Sequence, residues 1–239
     1  MTSNSVDGEP LIPLSRLGGF IRLITHDVRN GLNAIDLEAA LIAEIATDAE
    51  VLGEVKRLRS MVSGVTKNLQ TLSSRFAEVR LNSMVCSVRD FMEVCRDRIA
   101  KRFPEQSAHL VWKIEGEETQ IEMDFEQLIA ALSEVLQNAW QFRGSADAPV
   151  EFHARPAGDE FVFEIRAPLS HPAEPALPPE CWGVEPLVST RRGGYGLGLF
   201  HARRIISAFG GRVETGMDGT RIFLPAKPAD GVDSDPSPP

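Results

Sequence analysis

Residues 24–35 read ITHDVRNGLNAI. Ile24, Val28, Leu32 and Ile35 keep helical spacing here, and the apolar run continues from Leu17 to Ala46 in steps of three and four, with one slip across this stretch. His26, Asp27, Arg29, Asn30 and Asn33 fill polar positions between them, and Gly31 weakens the helix in their midst. His26 lies two residues from Ile24, about 200° around a helix, so it faces solvent; positions 26, 29, 30 and 33 share one face. An exposed imidazole beside a carboxylate suits proton or phosphoryl chemistry near neutral pH. A lone surface histidine is usually just solvated; the company of Asp27, Asn30 and Gly31 argues for more.

Working outward, residues 51–76 carry a cleaner repeat. Val51, Val55, Leu58, Val62, Val65, Leu69, Leu72 and Phe76 alternate steps of four and three, a heptad seam. Two amphipathic helices with a short link make a hairpin over residues 12–82. A lone hairpin leaves its seam wet, so pairing with a second copy as a dimeric four-helix bundle is the expected remedy.

Residues 84–227 change to mixed α and β, so the fold class is α+β, a helical hairpin followed by an α/β sandwich. VCSVRDFMEVCRDRIAKRF, from residue 85, reads as a helix and AHLVWKI as a strand. Asp124 caps a long helix, with Gln127 as capping-box partner. VEFHARP and EFVFEIRA read as strands, GLGLFHARRIISAFG as a helix ended by Gly210–Gly211, and RVETGMDGTRIFLPA as a hairpin turning at Asp218–Gly219. Residues 228–239, rich in Pro, Asp and Ser, read as a disordered tail.

Composition narrows the function classes. The 239 residues are 43% hydrophobic and 25% charged, with ample material for a core. A net charge of −9 argues against nucleic-acid or anionic-membrane partners, which need clustered positive charge. The start, MTSNSVDGEPLIPL, lacks a signal-peptide pattern, and no apolar run has the length to span a bilayer. Cys86, Cys95 and Cys181 form no CxxC pair, which suits a reducing compartment. A cytoplasmic location is expected.

HDVRNGLNAI resembles the H-box of two-component histidine kinases, in which a histidine on a dimerisation helix accepts a phosphoryl group. By that resemblance His26 is the phosphoacceptor, Asp27 the acidic base and Asn30 the residue that orients a water for dephosphorylation. Gly31 stands where a helix-kinking proline is usual. LSEVLQNAWQF resembles the N-box of GHKL (Bergerat-type) ATPases, which implies that Asn138 holds Mg²⁺ against ATP phosphates with Glu134 one turn earlier. VEPLVSTRRGGYGLGLF resembles the lid end and second glycine box, with Gly194, Gly196 and Gly198 letting backbone approach phosphates at a helix start. A lone GxGxG is weak; the order of the three motifs is the stronger signal, and together they cover most of residues 15–225. The implied partners are a second copy and the receiver domain of a response regulator.

The sequence also departs from that family. Where an Asp-x-Gly-x-Gly turn should bind adenine, APLSH places Ala167 at the Asp position and Leu169 and His171 at the glycines. Gln141 replaces the usual N-box lysine, and six prolines between Pro168 and Pro186 stiffen the lid. Arg191 and Arg192 remain available to phosphate. Three classes follow: an ATP-dependent histidine kinase, a histidine phosphotransferase that keeps the kinase fold, and a non-catalytic dimeric scaffold. The departures favour the second, with ATP binding weak and autophosphorylation slight.

Overall fold

The computed structural model describes residues 5–6, 9–10, 13–145, 148–167, 181–188, 196–216 and 218–227. The chain divides into two compact units at Glu78/Val79.

In the first unit, strands β1 (Ser5–Val6) and β2 (Glu9–Pro10) pair antiparallel. Helices α1 (Leu14–Ile45) and α2 (Ala49–Phe76) then form the expected hairpin. Asp48 N-caps α2 by accepting from the Glu50 amide at 2.7 Å, which ends the three-residue link. The helix is unbroken through Gly31. Arg59 of α2 donates to Asp36 of α1 from Nε at 2.8 Å and Nη2 at 3.3 Å, holding the two helices in register.

The heptad seam splits into two columns. Val55 and Val62 are 8% and 9% exposed and, with Phe76, pack inside the hairpin. Their counterparts on α1 are Gly18, Thr25 and Ala39, spaced one and then two heptads apart. The alternate column is bare: Leu58 is 38% and Val65 46% exposed, and Val51 is exposed too. The expectation that Val55, Leu58, Val62, Val65 and Leu69 all bury against a second chain is therefore corrected. One antiparallel partner helix covers only the half of a seam that faces it.

The second unit is the sandwich. Its elements run β3 (Met84–Ser87), α3 (Val88–Arg102), α4 (Pro104–Ser107), β4 (Leu110–Ile114), β5 (Gln120–Met123), α5 (Phe125–Phe142), β6 (Val150–Ala157), β7 (Glu160–Arg166), α6 (Gly198–Ala208), β8 (Arg212–Gly216) and β9 (Gly219–Lys227). Among the described residues the strand order is β3-β5-β9-β7-β6-β4, with β8 also beside β9; β4 and β6 are parallel and the other pairs antiparallel. Alternate residues of β7, Phe161, Phe163 and Ile165, point into the helical layer with Phe91 of α3, Leu132 of α5 and Ile205 of α6. Phe91 meets Phe163 edge-on at 5.8 Å.

The local readings differ in three places. Residues 85–87 form a strand rather than the start of α3, because Ser87 N-caps that helix, accepting from the Asp90 amide at 3.1 Å, while β3 pairs with β5. The β5 strand was not legible. The last hairpin has Gly216 opposite Gly219, so Gly219 belongs to the ladder rather than to the turn. Asp124 does cap α5: Oδ1 accepts from the Gln127 amide at 3.1 Å and Oδ2 from the Asn82 amide at 2.8 Å.

Candidate functional site

Each unit carries part of the predicted chemistry. On α1, His26 and Asp27 side chains are both 70% exposed. The column Gly18–Thr25–Ala39 turns inward, which places position 26 about 100° away and out of the seam. His26 Nδ1 stands 3.2 Å from Asp27 Oδ1 and 3.4 Å from Asn30 Nδ2. One nitrogen cannot both donate to a carboxylate and accept from an amide. The shorter contact is to the charged acceptor, so the tautomer with hydrogen on Nδ1 is favoured. Nε2 then carries the free lone pair and points to solvent.

Beside this stripe lies a groove of about 820 Å³ between α1 and α2. Asn33, one heptad beyond His26, lines it with Lys56, Arg59 and Lys67, over a floor of Val55 and Val62. Lys56 and Lys67 have no carboxylate partner among the described residues, so the groove is cationic in an acidic chain. The sequence reading missed these residues; their spacing along the polar flank of α2 was the available signal. On the opposite flank the bare apolar residues gather: Ile24, Val28, Ile35 and Ile42 of α1 with Leu58 and Val65 of α2.

In the second unit, Glu134 and Asn138 lie one turn apart on α5, both half-buried. Asn138 makes no side-chain hydrogen bond among the described residues. The fold brings Glu134 to the start of α6: a Cβ on Gly198 would stand 2.8 Å from Glu134 Oε2. Only glycine lets the carboxylate this close without pushing it aside. The first turn of α6 has no acidic residue and no side-chain cap, so its amides remain directed at this corner. Oxygen ligands at a helix start fit a hard cation bridged to phosphate. Gly196 precedes the helix at φ 61°. Gly194, Leu169, His171, Arg191 and Arg192 lie outside the described residues, as do most of the proline-rich stretch and the tail.

The adenine position does not fit. Ala167, at the end of β7, is 6% exposed and belongs to the apolar core, so it offers no acceptor to a base. Gln141 is exposed at the last turn of α5. Glu134 thus meets the glycine at the start of α6, whereas Ala167 stands where a base-reading carboxylate was expected.

A helical hairpin followed by a sandwich with these motifs is the histidine-kinase architecture with a GHKL-type ATPase domain, and the chain has that fold. Among solved structures it is similar to full-length ShkA in complex with AMPPNP, at a TM-score of 0.65 and 20% identity over 86% of this chain. The chain spans 44% of that protein's length. Weaker likenesses are to the Acinetobacter baumannii histidine kinase AdeS (TM-score 0.49, 17% identity, 84% of this chain and 97% of that one) and to the catalytic domain of histidine kinase ThkA (0.49, 17%, 61% and 96%). No protein-family model and no curated protein matches the sequence. No helix among the described residues is long and apolar enough to cross a membrane.

Proposed function

We propose that this chain is a dimeric, cytoplasmic member of the histidine-kinase family whose main chemistry is phosphoryl exchange between His26 and the receiver domain of a response regulator. The observation that carries this reading is the exposed imidazole held at Nδ1 beside Asp27, one helical turn from Asn30. In the transfer step the Nε2 lone pair attacks the phosphorus of an aspartyl phosphate. The N–P bond forms as the P–O bond to the acyl carboxylate breaks, and the carboxylate leaves with its electron pair. Asp27 stabilises the positive charge that develops on the ring by accepting from Nδ1–H. In the competing hydrolysis Asn30 orients a water toward the regulator's phosphoryl group; the water attacks phosphorus as the P–O bond to the carboxylate breaks, releasing inorganic phosphate and the free aspartate. The cationic groove one heptad from His26 suits the acidic surface of such a partner. The bare flank of the hairpin suits a second copy, giving a bundle over residues 12–82 followed by the sandwich over 84–227.

If nucleotide binds, Asn138 and Glu134 hold Mg²⁺, while Gly194, Gly196 and Gly198 admit the phosphates of ATP. The base goes unread at Ala167, which is why transfer from ATP is secondary. The test is direct. A purified regulator phosphorylated on its aspartate should label the wild-type chain and leave His26→Gln unlabelled. Asn30→Ala should take label on His26 yet slow loss of phosphate from the regulator. Equal labelling of His26→Gln would overturn the assignment. No labelling of any form, with tight docking of the regulator, would favour the scaffold.

A further inference from the structure

Residues Cys181–Val188 sit across α6 as a short segment fastened at several points. Arg203 of α6 donates from Nε to the Trp182 carbonyl oxygen at 2.8 Å, from Nη1 to that of Val213 at 2.7 Å, and from Nη2 to Thr215 Oγ1 at 3.2 Å. One guanidinium thus joins this segment, α6 and β8. All three acceptors are neutral, and burial pushes the Arg203 guanidinium below its usual range. A cation withdrawn from water onto neutral acceptors is held by geometry rather than by charge, and only the planar fork of arginine reaches three diverging oxygens.

Backbone contacts complete the fastening. Gly183, at φ 72°, packs so closely on α6 that a Cβ would stand 2.7 Å from the Leu199 carbonyl carbon. Gly196, at φ 61°, packs on the other end of the segment, where a Cβ would stand 2.2 Å from the Val188 carbonyl oxygen. The turn leading into α6 is therefore braced by the Val188 backbone. We infer that residues 181–188 are a strap, that Arg203 holds the strap on α6, and that the strap holds the Gly196–Gly198 turn in shape before any ligand arrives. Arg203 is a positioning residue in this arrangement, and the inference stands apart from the phosphotransfer reading.

Amide hydrogen exchange on the full chain without nucleotide tests it. In Arg203→Met, peptides covering 181–188 and 196–199 should exchange about ten- to a hundredfold faster, the loss expected for hydrogen bonds to a charged group. Peptides of α5 should stay within about twofold of wild type, and Arg203→Lys should fall between. Unchanged exchange in the strap overturns the inference. So does a faster strap with an unchanged 196–199 turn, or an equal rise throughout α5. Should Arg203→Met fail to fold, Gly183→Ala lifts the strap with Arg203 intact; it should speed exchange at 196–199, and protection there overturns the bracing.

Discussion

Leu58→Asp together with Val65→Asp should convert the protein from dimer to monomer without melting its helices. Both side chains are already about two-fifths exposed in the single hairpin, so each aspartate stays solvated there. In a four-helix bundle the same positions are sealed by the partner copy. Protonating a buried aspartate at pH 7 costs about 4 kcal/mol from its ordinary pKa, and leaving it ionised costs more. Allowing for partial solvation, about 2–4 kcal/mol each gives about 8–16 kcal/mol for the four carboxylates of a dimer, weakening association by about a million-fold or more. Sedimentation velocity at micromolar concentration should show wild-type dimer and mutant monomer, with equal helicity by circular dichroism. Val55→Asp with Val62→Asp should behave differently, losing helicity, because those positions are packed inside the hairpin. A wild-type monomer, or a double mutant that still dimerises, would refute the reasoning from the split seam.

Nucleotide binding should be weak and indifferent to the base. The missing carboxylate hydrogen bond is worth about 1.5–3 kcal/mol, about ten- to a hundred-and-fifty-fold, so Mg·ATP and Mg·GTP should titrate within about threefold of each other; submicromolar binding with clear ATP preference would sink this. Gly198→Ala should lower Mg-nucleotide affinity with little change in Tm, since its methyl meets the mobile end of Glu134 at 2.8 Å; unchanged calorimetric affinity would count against Glu134 and Gly198 acting together. A third expectation concerns acid. Glu164 is buried on β7 between Arg221 (2.8 Å) and Arg166 (2.9 Å). Burial pushes its carboxyl up, and the two guanidiniums outweigh that and leave it below the usual 4.5. Its contribution is complete above pH 4.5 and is lost as pH falls through the depressed value. Glu164→Gln should therefore cost about 1–3 kcal/mol in urea denaturation at pH 7 and less at pH 4; a cost that grew on acidification would contradict the ion-pair account.

What the sequence by itself determined is local. The steps of three and four from Leu17 to Ala46 and from Val51 to Phe76 dictate two helices, because an apolar stripe can be buried only in the conformation that makes it continuous. The same spacing puts His26 on the wet side, and Asp124 marks a helix start through its bond to the amide three residues on. Tertiary structure decided what depends on distant neighbours. Which half of the heptad seam is bare follows from where α1 lies, since Val55 and Leu58 look alike along the chain. Val85 to Ser87 became strand because β5, whose paired residues lie 33 to 37 positions on, supplies the ladder that local propensity cannot foresee. Glu164, on a strand that reads as apolar, is kept ionised by Arg221 from β9. The meeting of Glu134 with Gly198, and the hold of Arg203 on Trp182, join residues far apart in sequence. Burial and charge pairing depend on proximity in space, and only the folded chain supplies it.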